Sequence, residues 1–490
     1  METAPHLTPV IVGIGEISEH GIDPKAGREP VAMMEAALRA AQKDCGAARA
    51  LTDMDSLDVV MPMSWRYEDL AGAVCARIGA SPAHAALGPS GGESPLRYIH
   101  NAAKRIASGD ASIAAVVGGE AQETLSALQR AGHMPDWTAF ASGGPNFADV
   151  GDAIDPLAAQ HGLYLPIHVY GFYENAFSKS EGQTPAQSMA RSAALWERYS
   201  AAAAGNPHSK IKTPLTAAQI ATPTPKNRMA GGPYTKSIVA NMSVNQAAAV
   251  IIMSLSAARA AGVPDEQCVH ISAGAFADEP RNFLHRGRYD ISAAQEQVLS
   301  HMATLGHDAG ALELYSCFPV VPKMAAKTLG LPETFTPSVT GGMSFFGAPL
   351  NNYMTHAACA MVRAIRAGVP CGMLYGQGEY MTKHYGLRLS KSAEEFDIFA
   401  GDLQSRADAV RCPAPVLTER IQGPAEILTY TTFWNRDNTP EKAVAIVQAQ
   451  SGERTLVTIA AKHESFEMFT REDRYPIGDI ITLDENGKIA

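Results

Sequence analysis

The feature that most constrains the fold is an internal repeat with an offset of 259 residues. Ile106-Ala-Ser-Gly109, an apolar run and Gly119-Glu120 recur as Ile365-Arg-Ala-Gly368, an apolar run and Gly378-Glu379. The same offset relates three residues of an early apolar run to three later ones: Val10, Val12 and Gly15 to Val269, Ile271 and Gly274. Because the matches keep their order along both halves, they indicate a duplicated structural unit.

Each copy of the repeat is predicted to contain strand, helix, strand, helix, loop, helix and strand. Short, continuously apolar segments such as Ile113–Val117 are typical of strands that helices cover on both faces. Apolar residues at helical spacing predict one helix after Pro95 and an equivalent helix over Met354–Ile365. We expect these two helices to be paired and deeply buried.

Two regions do not take part in the repeat. Residues 122–240 form an insertion rich in aromatic residues, Gly and Pro, which either shapes a substrate site or forms a structural cap or dimer surface. After Cys412-Pro-Ala-Pro415, short alternating runs separated by turns predict a small, OB-like β-barrel. The predicted organisation is an N-terminal half (1–121), the insertion (122–240), a returning strand and helix (241–262), a C-terminal half (263–410) and a β-barrel domain (411–490).

Composition excludes several classes of partner and suggests a compartment. A net charge of -10 and a pI near 5.8 argue against a nucleic-acid or anionic-membrane partner. Apolar stretches such as Ala247–Met253 are too short to cross a bilayer, and the N-terminus does not resemble a signal peptide. Seven cysteines without a C-x-x-C pair suggest reduced thiols, no metal site and a cytoplasmic location.

Local motifs within this duplicated frame resemble those of the thiolases. Asn241–Ala249 resembles the N-x-S-x-x-N-D-G-A-A-A strand entry, and Glu313–Phe318 resembles the E-x-H-D-C-F segment of the sterol-carrier-protein thiolases. Gly347-Ala-Pro349 resembles the segment that holds the G-H-P histidine. Pro233-Tyr-Thr-Lys236 and Gly347–Tyr353 look like stretches of the bacterial thiolase-like proteins of type 1, commonly labelled acetyl-CoA acetyltransferases.

The resemblance covers about residues 8–400. It implies an α/β fold with a duplicated αβαβα layered core. An additional C-terminal β-domain also follows the core in the type 1 proteins, and it corresponds here to the predicted barrel.

The residues that carry thiolase chemistry are replaced in this chain. Gly92 stands at the place of the nucleophilic cysteine, and Ala348 replaces the G-H-P histidine. Tyr315 replaces the histidine of H-D-C-F, and Leu374 replaces the cysteine of the usual C-x-G turn. Since a thiolase needs a thiolate and a base to form its acyl-enzyme, four replacements argue against ping-pong chemistry.

Several polar residues remain as catalytic candidates. Cys317 matches the acid/base cysteine of H-D-C-F and is either an acid/base or a buried apolar thiol. Tyr315 either donates a proton to an enolate or alkoxide, or it packs in the core with its hydroxyl hydrogen-bonded. Asn351 and Asn352 supply an oxyanion hole or cap a helix. His356, one turn further on, is either functional or a core residue.

The segment around the missing thiol supplies the remaining candidates. Glu93 is a possible base, and Ser90 is the nearest hydroxyl, although no base is evidently paired with it. Substrate or oxyanion binding is assigned to Ser90 and to four further residues: Gly91, Gly92, Gly347 and Tyr375. The glycine amides can approach a ligand closely, and the two buried helices would direct their positive N-terminal ends toward one pocket.

Three functions follow from these expectations. The first is a CoA-dependent acyltransferase or C–C bond-cleaving enzyme in which CoA attacks a β-keto acid or β-ketoacyl-CoA without an acyl-enzyme. The second is a retro-aldolase acting on a β-hydroxyacyl-CoA, as implied by thiolase-like steroid aldolases that also lack the cysteine. The third is a non-catalytic protein that binds CoA or acyl-CoA. In each case CoA or its thioester is a ligand rather than a tightly bound cofactor, and the protein is a monomer or homodimer.

Overall fold

The computed structural model describes residues 5–142, 153–306 and 310–490. Parts of three predicted domains therefore lie outside the described residues: 1–4, 143–152 and 307–309. The strands are β1 (Pro9–Ser18), β2 (Ser56–Val59), β3 (His84–Leu87), β4 (Ile113–Ala121), β5 (Met229–Gly231), β6 (Tyr234–Thr235), β7 (Asn245–Ser254), β8 (Val269–Asp278), β9 (Ala311–Leu314), β10 (Cys371–Gly378), β11 (Lys383–Ser390), β12 (Gly423–Trp434), β13 (Pro440–Ala449), β14 (Arg454–Ala460) and β15 (Ile480–Leu483).

The helices cover the sheet and build the insertion. They are α1 (Pro30–Cys45), α2 (Leu70–Ile78), α3 (Ser94–Ala107), α4 (Gln122–Arg130), α5 (Pro156–Gln160), α6 (Pro166–Ser180), α7 (Pro185–Gly205), α8 (Ala217–Ala221), α9 (Leu255–Ala260), α10 (Ala293–Thr304), α11 (Val320–Thr328), α12 (Gly342–Phe345), α13 (Tyr353–Arg366) and α14 (Gln404–Val410).

Nine strands form one mixed sheet in the order β3-β2-β4-β7-β1-β8-β11-β10-β9. The two halves meet at its centre, where β1 and β8 pair antiparallel through Val10 with His270 and Ile11 with Val269. In both halves the outer strands are parallel, β2 to β4 and β9 to β10. This arrangement agrees with the predicted duplication.

Helices α3 and α13 are the paired inner helices that the sequence predicts. They contact each other and strands of both halves, and their apolar faces are buried. Pro95 occupies the first turn of α3, where its missing N–H costs no hydrogen bond. On the outer side of the first half, α1 packs against β1, β4 and β7, which places helices on both faces of these strands.

The insertion is mainly helical, and α6 packs between the core and the C-terminal region. The four predicted C-terminal runs all form strands, in the order β14-β13-β12-β15. Instead of a full barrel, these strands form a curled antiparallel sheet that resembles half a barrel. The exact domain boundaries stay predictions. Among the described residues, no helix has both the length and the apolar character that a membrane crossing requires.

Candidate active site

The N-terminal ends of the two inner helices lie next to each other. The Ser90 hydroxyl and the Gly91 N–H both donate to Asn351 Oδ1 at 3.2 Å, and Asn351 Nδ2 donates to the Met61 carbonyl at 3.0 Å. The Asn351 amide therefore connects the loop before α3 with the turn before α13. This contact brings the segments 90–95 and 347–353 together, as the sequence predicts.

The Tyr315 hydroxyl occupies the space above Gly92. A Cβ atom at position 92 would lie 2.1 Å from Tyr315 Oη and 2.5 Å from the Gln377 carbonyl oxygen. Since atoms cannot approach so closely, a cysteine at 92 and a tyrosine at 315 exclude each other in this conformation. Glycine at 92 leaves the space that the Tyr315 hydroxyl and the Gln377 carbonyl oxygen occupy.

Cys317 lies two residues beyond Tyr315, and its thiol is held by polar side chains. Gln377 Nε2 donates to Cys317 Sγ at 3.1 Å and to the Tyr170 hydroxyl at 2.8 Å. Burial raises the pKa of Cys317 to about 12, although the hydrogen bond from Gln377 acts in the opposite direction. The thiol is therefore protonated at neutral pH and can donate a proton, but it is a poor nucleophile.

Tyr315 is also a neutral acid at physiological pH. Its side chain is only 6% exposed, and burial raises its pKa well above the usual value. The negative charges that Cys317 and Glu93 carry when they are ionised raise the pKa of Tyr315 further. A hydroxyl in this state can donate to an oxygen on which negative charge develops.

Glu93 lies beneath the glycine loop and is 2% exposed. Its nearest cation is Arg97, at 3.7 Å, and its Oε2 has no hydrogen-bond partner among the described residues. Burial raises the pKa of Glu93, and the charges of Lys383 and Arg97 offset part of that rise. A buried carboxyl with one unpartnered oxygen is a candidate for proton transfer.

Asn352 is the N-cap residue of α13, but its side chain makes no capping hydrogen bond. Its Oδ1 instead accepts from the Thr355 hydroxyl at 2.6 Å, and its buried Nδ2 has no partner within the described parts of the chain. Asn352 therefore keeps one free amide donor, as an oxyanion-binding residue requires, whereas the Asn351 amide already holds two loops.

His356 interacts with strand β1 rather than with this cluster. Its Nδ1 lies 2.7 Å from Glu16 Oε1, and Arg363 also pairs with Glu16. Burial alone would raise the pKa of Glu16, but His356 and Arg363 lower it to about 2. This geometry is typical of a structural ion pair, and a catalytic role for His356 stays an untested prediction.

Tyr375 and Gly347 also have structural contacts that do not require a ligand. The Tyr375 hydroxyl accepts from Gln295 Nε2 at 2.9 Å and lies 2.7 Å from His384 Nδ1. Gly347 has a φ of 120°, and a Cβ there would lie 2.7 Å from Gln246 Oε1. Their proposed ligand-binding roles stay predictions.

Two residues of the cluster were not among the sequence candidates. Tyr170 comes from α6 in the insertion, and Gln377 comes from β10. The aromatic content of the insertion pointed to the region of Tyr170, and Gln377 directly precedes Gly378 of the internal repeat, but neither signal assigned the residue to the site. Within the described residues, no group of three metal-ligating side chains comes together.

The duplicated sheet and its two inner helices define a protein of the thiolase fold. A crystal structure of human mitochondrial 3-ketoacyl-CoA thiolase in complex with CoA aligns with a TM-score of 0.57 at 15% identity, covering 80% of this chain and 100% of that one. The Ltp2-ChsH2(DUF35) aldolase aligns with a TM-score of 0.59 at 16% identity, covering 79% and 98%. At these identities the comparisons show the fold alone.

The type 1 thiolase-like proteins give a more specific match. Residues 402–488 match the thiolase-like protein type 1 additional C-terminal domain. A monomeric SCP2-thiolase-like protein type 1 from Mycobacterium smegmatis aligns with a TM-score of 0.82 at 29% identity, over 100% of this chain and 99% of that one. The resemblance to the thiolase superfamily and to its type 1 thiolase-like proteins is therefore confirmed. No curated protein matches the chain in sequence.

Proposed function

We propose that this protein is a CoA-dependent enzyme that cleaves a carbon–carbon bond in a β-keto acid or β-ketoacyl-CoA without forming an acyl-enzyme. The observation that supports this most directly is the Tyr315 hydroxyl above Gly92, where the thiolase nucleophile would stand. A neutral proton donor has taken the place of a covalent catalyst. The external thiol of CoA is then the nucleophile.

The reaction is a retro-Claisen cleavage. The CoA sulfur attacks the β-carbonyl carbon, the bond between the α- and β-carbons breaks, and its electron pair passes to the thioester as an enolate. Cys317 protonates the α-carbon and regains a proton that originates from the CoA thiol, so the enzyme is unchanged. The products are an acyl-CoA and a shorter thioester or acid.

The polar groups of the site match the charges that this reaction develops. Negative charge appears first on the attacked carbonyl oxygen and then on the enolate oxygen. Tyr315 and the free amide of Asn352 are the candidate donors to these oxygens, together with the N-terminal ends of α3 and α13. Because Tyr315 and Cys317 are protonated at neutral pH, both can donate without prior activation.

Retro-aldol cleavage of a β-hydroxyacyl-CoA is the second candidate, and Glu93 is the observation that favours it. This reaction needs a base for the β-hydroxyl proton rather than an external nucleophile. Glu93 has an unpartnered Oε2 and interacts electrostatically with Tyr315. Both features suit a relay in which Tyr315 passes that proton to Glu93. The products would be an aldehyde or ketone and a shorter acyl-CoA.

Product analysis distinguishes these reactions. The full-length protein is incubated with CoA and a panel of aliphatic and aromatic β-keto acids and β-ketoacyl-CoAs, and separately with β-hydroxyacyl-CoAs. Mass spectrometry of a new acyl-CoA that requires added CoA supports the retro-Claisen reaction, and release of a carbonyl compound without added CoA supports the aldol reaction. CoA binding by calorimetry without either product would leave only a binding function.

For the oligomeric state, the location and the partners of the proposed enzyme, we keep the expectations drawn from the sequence. We expect a monomer or homodimer in the cytoplasm that acts on small-molecule thioesters and binds no nucleic acid. The Mycobacterium smegmatis relative is described as monomeric. Light scattering of the purified protein, with and without CoA, measures the oligomeric state directly.

A further inference from the structure

Helix α6 of the insertion is held by strand β12 of the C-terminal sheet. The Thr429 hydroxyl donates to the Phe172 carbonyl at 2.6 Å, and Asn175 Nδ2 donates to the Tyr430 carbonyl at 2.9 Å. Gly171 allows the helix to approach the strand, since a Cβ there would lie 2.4 Å from Thr431 Oγ1. Helix and strand therefore approach each other closely and are joined by side-chain-to-backbone hydrogen bonds.

Tyr170, next to Gly171 on α6, reaches the thiol of the proposed active site. Its ring stacks on Phe318 with 4.4 Å between centroids, and its hydroxyl donates to the Glu379 carbonyl at 3.0 Å. The same hydroxyl accepts from Gln377 Nε2, which also donates to Cys317 Sγ. Tyr170 and Gln377 thus connect the thiol with the insertion.

We infer that Tyr170 is a positioning residue that, together with Gln377, orients the Cys317 thiol and controls its protonation, and that strand β12 fixes Tyr170 in this place. The inference deepens the proposed function and rests on it, because Cys317 is the proton donor of that reaction. It also gives the additional C-terminal domain a task, since its strand β12 holds the insertion helix that carries Tyr170.

Positioning and simple packing predict opposite changes in the reactivity of the thiol. Gln377 Nε2, which the Tyr170 hydroxyl holds in place, donates to Cys317 Sγ and stabilises the thiolate against burial. Loss of the Tyr170 hydroxyl weakens this hydrogen bond and raises the pKa of Cys317 further. Less thiolate is then present at a given pH, and alkylation slows. If Tyr170 only packed against the cysteine, its loss would loosen the site and make alkylation faster.

The test compares site-resolved alkylation of full-length Tyr170→Phe and wild type. Iodoacetamide is applied over a series of alkaline pH values, and mass spectrometry follows the peptide of Cys317 with that of the less buried Cys412 as internal reference. Because a thiolate gains nucleophilicity as its pKa rises, we expect Tyr170→Phe to react about three- to four-fold more slowly for each unit of increase. An unchanged or faster rate overturns the inference.

Tyr173→Phe is the matched control. Tyr173 lies on the same helix, is equally buried and donates its hydroxyl to the Tyr380 carbonyl at 2.9 Å rather than to the cysteine cluster. It should react at the wild-type rate. If it slows alkylation as much as Tyr170→Phe does, the effect belongs to the helix as a whole and the assigned role of Tyr170 is wrong.

The contribution of the C-terminal sheet is tested with Thr429→Val, which removes the hydrogen bond to α6 and nearly preserves volume. We expect slower alkylation of Cys317 in the wild-type background and no further change in the Tyr170→Phe background, because the effect passes through Tyr170. Equal effects in both backgrounds would show that β12 does not act through this tyrosine.

A second measurement covers the case in which wild-type Cys317 does not react. The infrared S–H stretching band, assigned by difference from Cys317→Ser, depends on the hydrogen bonds of the thiol. It should shift in Tyr170→Phe and in Gln377→Leu but not in Tyr173→Phe, and the absence of a shift overturns the inference. Neither readout requires turnover, so failure of this inference is distinguishable from failure of the proposed reaction.

Discussion

The two inner helices begin in equivalent ways in the two halves, but the side chains that surround the two places differ. Glu93 precedes α3 and Asn352 precedes α13, at the repeat offset of 259 residues. Each side chain lies against a glycine of a strand from the other half. The Asn352 amide lies against Gly118 of β4, and the Glu93 carboxyl lies against Gly378 of β10. Each also has a buried polar atom without a partner in the described structure.

The two helix starts differ in the residue that follows the nearby strand, β2 in the first half and β9 in the second. Val60 follows β2, and its backbone N–H donates to the Val117 carbonyl of the neighbouring strand at 2.8 Å. Tyr315 follows β9, and its backbone N–H donates to the Tyr375 carbonyl of the neighbouring strand at 3.0 Å. An apolar side chain stands at the first place and a phenol at the second. Duplication therefore gives the two places the same backbone frame, and the side chains that face this frame differ between them.

The largest effect on turnover is expected at Tyr315, and Val60 is the residue at the corresponding place in the other half. Tyr315→Phe should lower turnover by about 100-fold or more, because it removes a proton donor and keeps the ring. Val60→Ala is the control in the other half, and it should cost about 2 kcal/mol of stability while turnover stays within a few-fold of wild type. Steady-state kinetics and urea unfolding measure both. A fully active Tyr315→Phe would remove the distinction between the halves.

A second effect concerns the glutamates at the equivalent positions 120 and 379. Glu120 is fully buried and accepts from the N–H groups of Met63 and Ser64 at 2.7 and 2.9 Å. Burial raises its pKa to about 7, although these hydrogen bonds oppose the rise. A carboxyl whose pKa is raised on folding stabilises the protein below its unfolded pKa, and this stability is lost as the pH rises through the folded pKa.

Unfolding free energies between pH 4.5 and pH 7 measure this effect. The Glu120 contribution should fall by on the order of 3 kcal/mol over this range. Glu120→Gln imitates the protonated acid, so its stability should depend less on pH. The same pH dependence in wild type and variant would show that Glu120 does not carry it.

A third effect compares glycines at the two helix starts. Gly92→Ala places a Cβ against Tyr315 Oη, and Gly118→Ala places one 2.3 Å from Asn352 Oδ1. Overpacking of this kind costs about 1–3 kcal/mol, so both variants should unfold at lower urea concentration. Gly92→Ala should also lower turnover more strongly, since it displaces Tyr315, whereas Gly118→Ala displaces the second candidate donor, Asn352. Equal losses of activity would argue that Asn352 contributes as much to the reaction as Tyr315.

The smallest effect is expected at Glu379. Burial raises the pKa of Glu379, but hydrogen bonds and charges from Arg281 and Lys383 outweigh it and lower the pKa. Its contribution is therefore present above the unfolded pKa and lost at acid pH, opposite in sign to that of Glu120. Glu379→Gln should cost about 0.5 kcal/mol at neutral pH and less in acid, as exposed ion pairs do. A larger loss in acid would contradict the assigned sign.

Much of the fold follows from local sequence patterns. The apolar run that becomes β4, the helical spacing of α3 and α13, and the alternating runs of β12 to β15 each identify an element without tertiary information. The pairing of β1 with β8, which joins the halves into one sheet, involves two residues on each strand and leaves no such pattern. The half-barrel likewise departs from the predicted barrel because closure depends on how the edge strands pair.

The site was less accessible to sequence reasoning than the fold. Comparison of motifs predicted that Gly92 stands at the nucleophile's place, that Tyr315 replaces the histidine and that Cys317 matches the H-D-C-F cysteine. Gln377, which contacts Cys317, is 60 positions from it in the sequence, and Tyr170, which contacts Gln377, is 147 positions from Cys317. These contacts depend on how the insertion packs. The amide of Asn351 was a candidate donor from its position, but its use in joining two loops becomes evident only from the packing.

A crystal structure with CoA soaked into the protein tests the central claim most directly. We predict that the CoA sulfur lies within hydrogen-bond distance of the Tyr315 hydroxyl and the Cys317 thiol, above Gly92 and at the ends of the two inner helices. CoA bound with its sulfur distant from both side chains, or no bound CoA at saturating concentration, would contradict the claim that these groups have replaced the thiolase nucleophile.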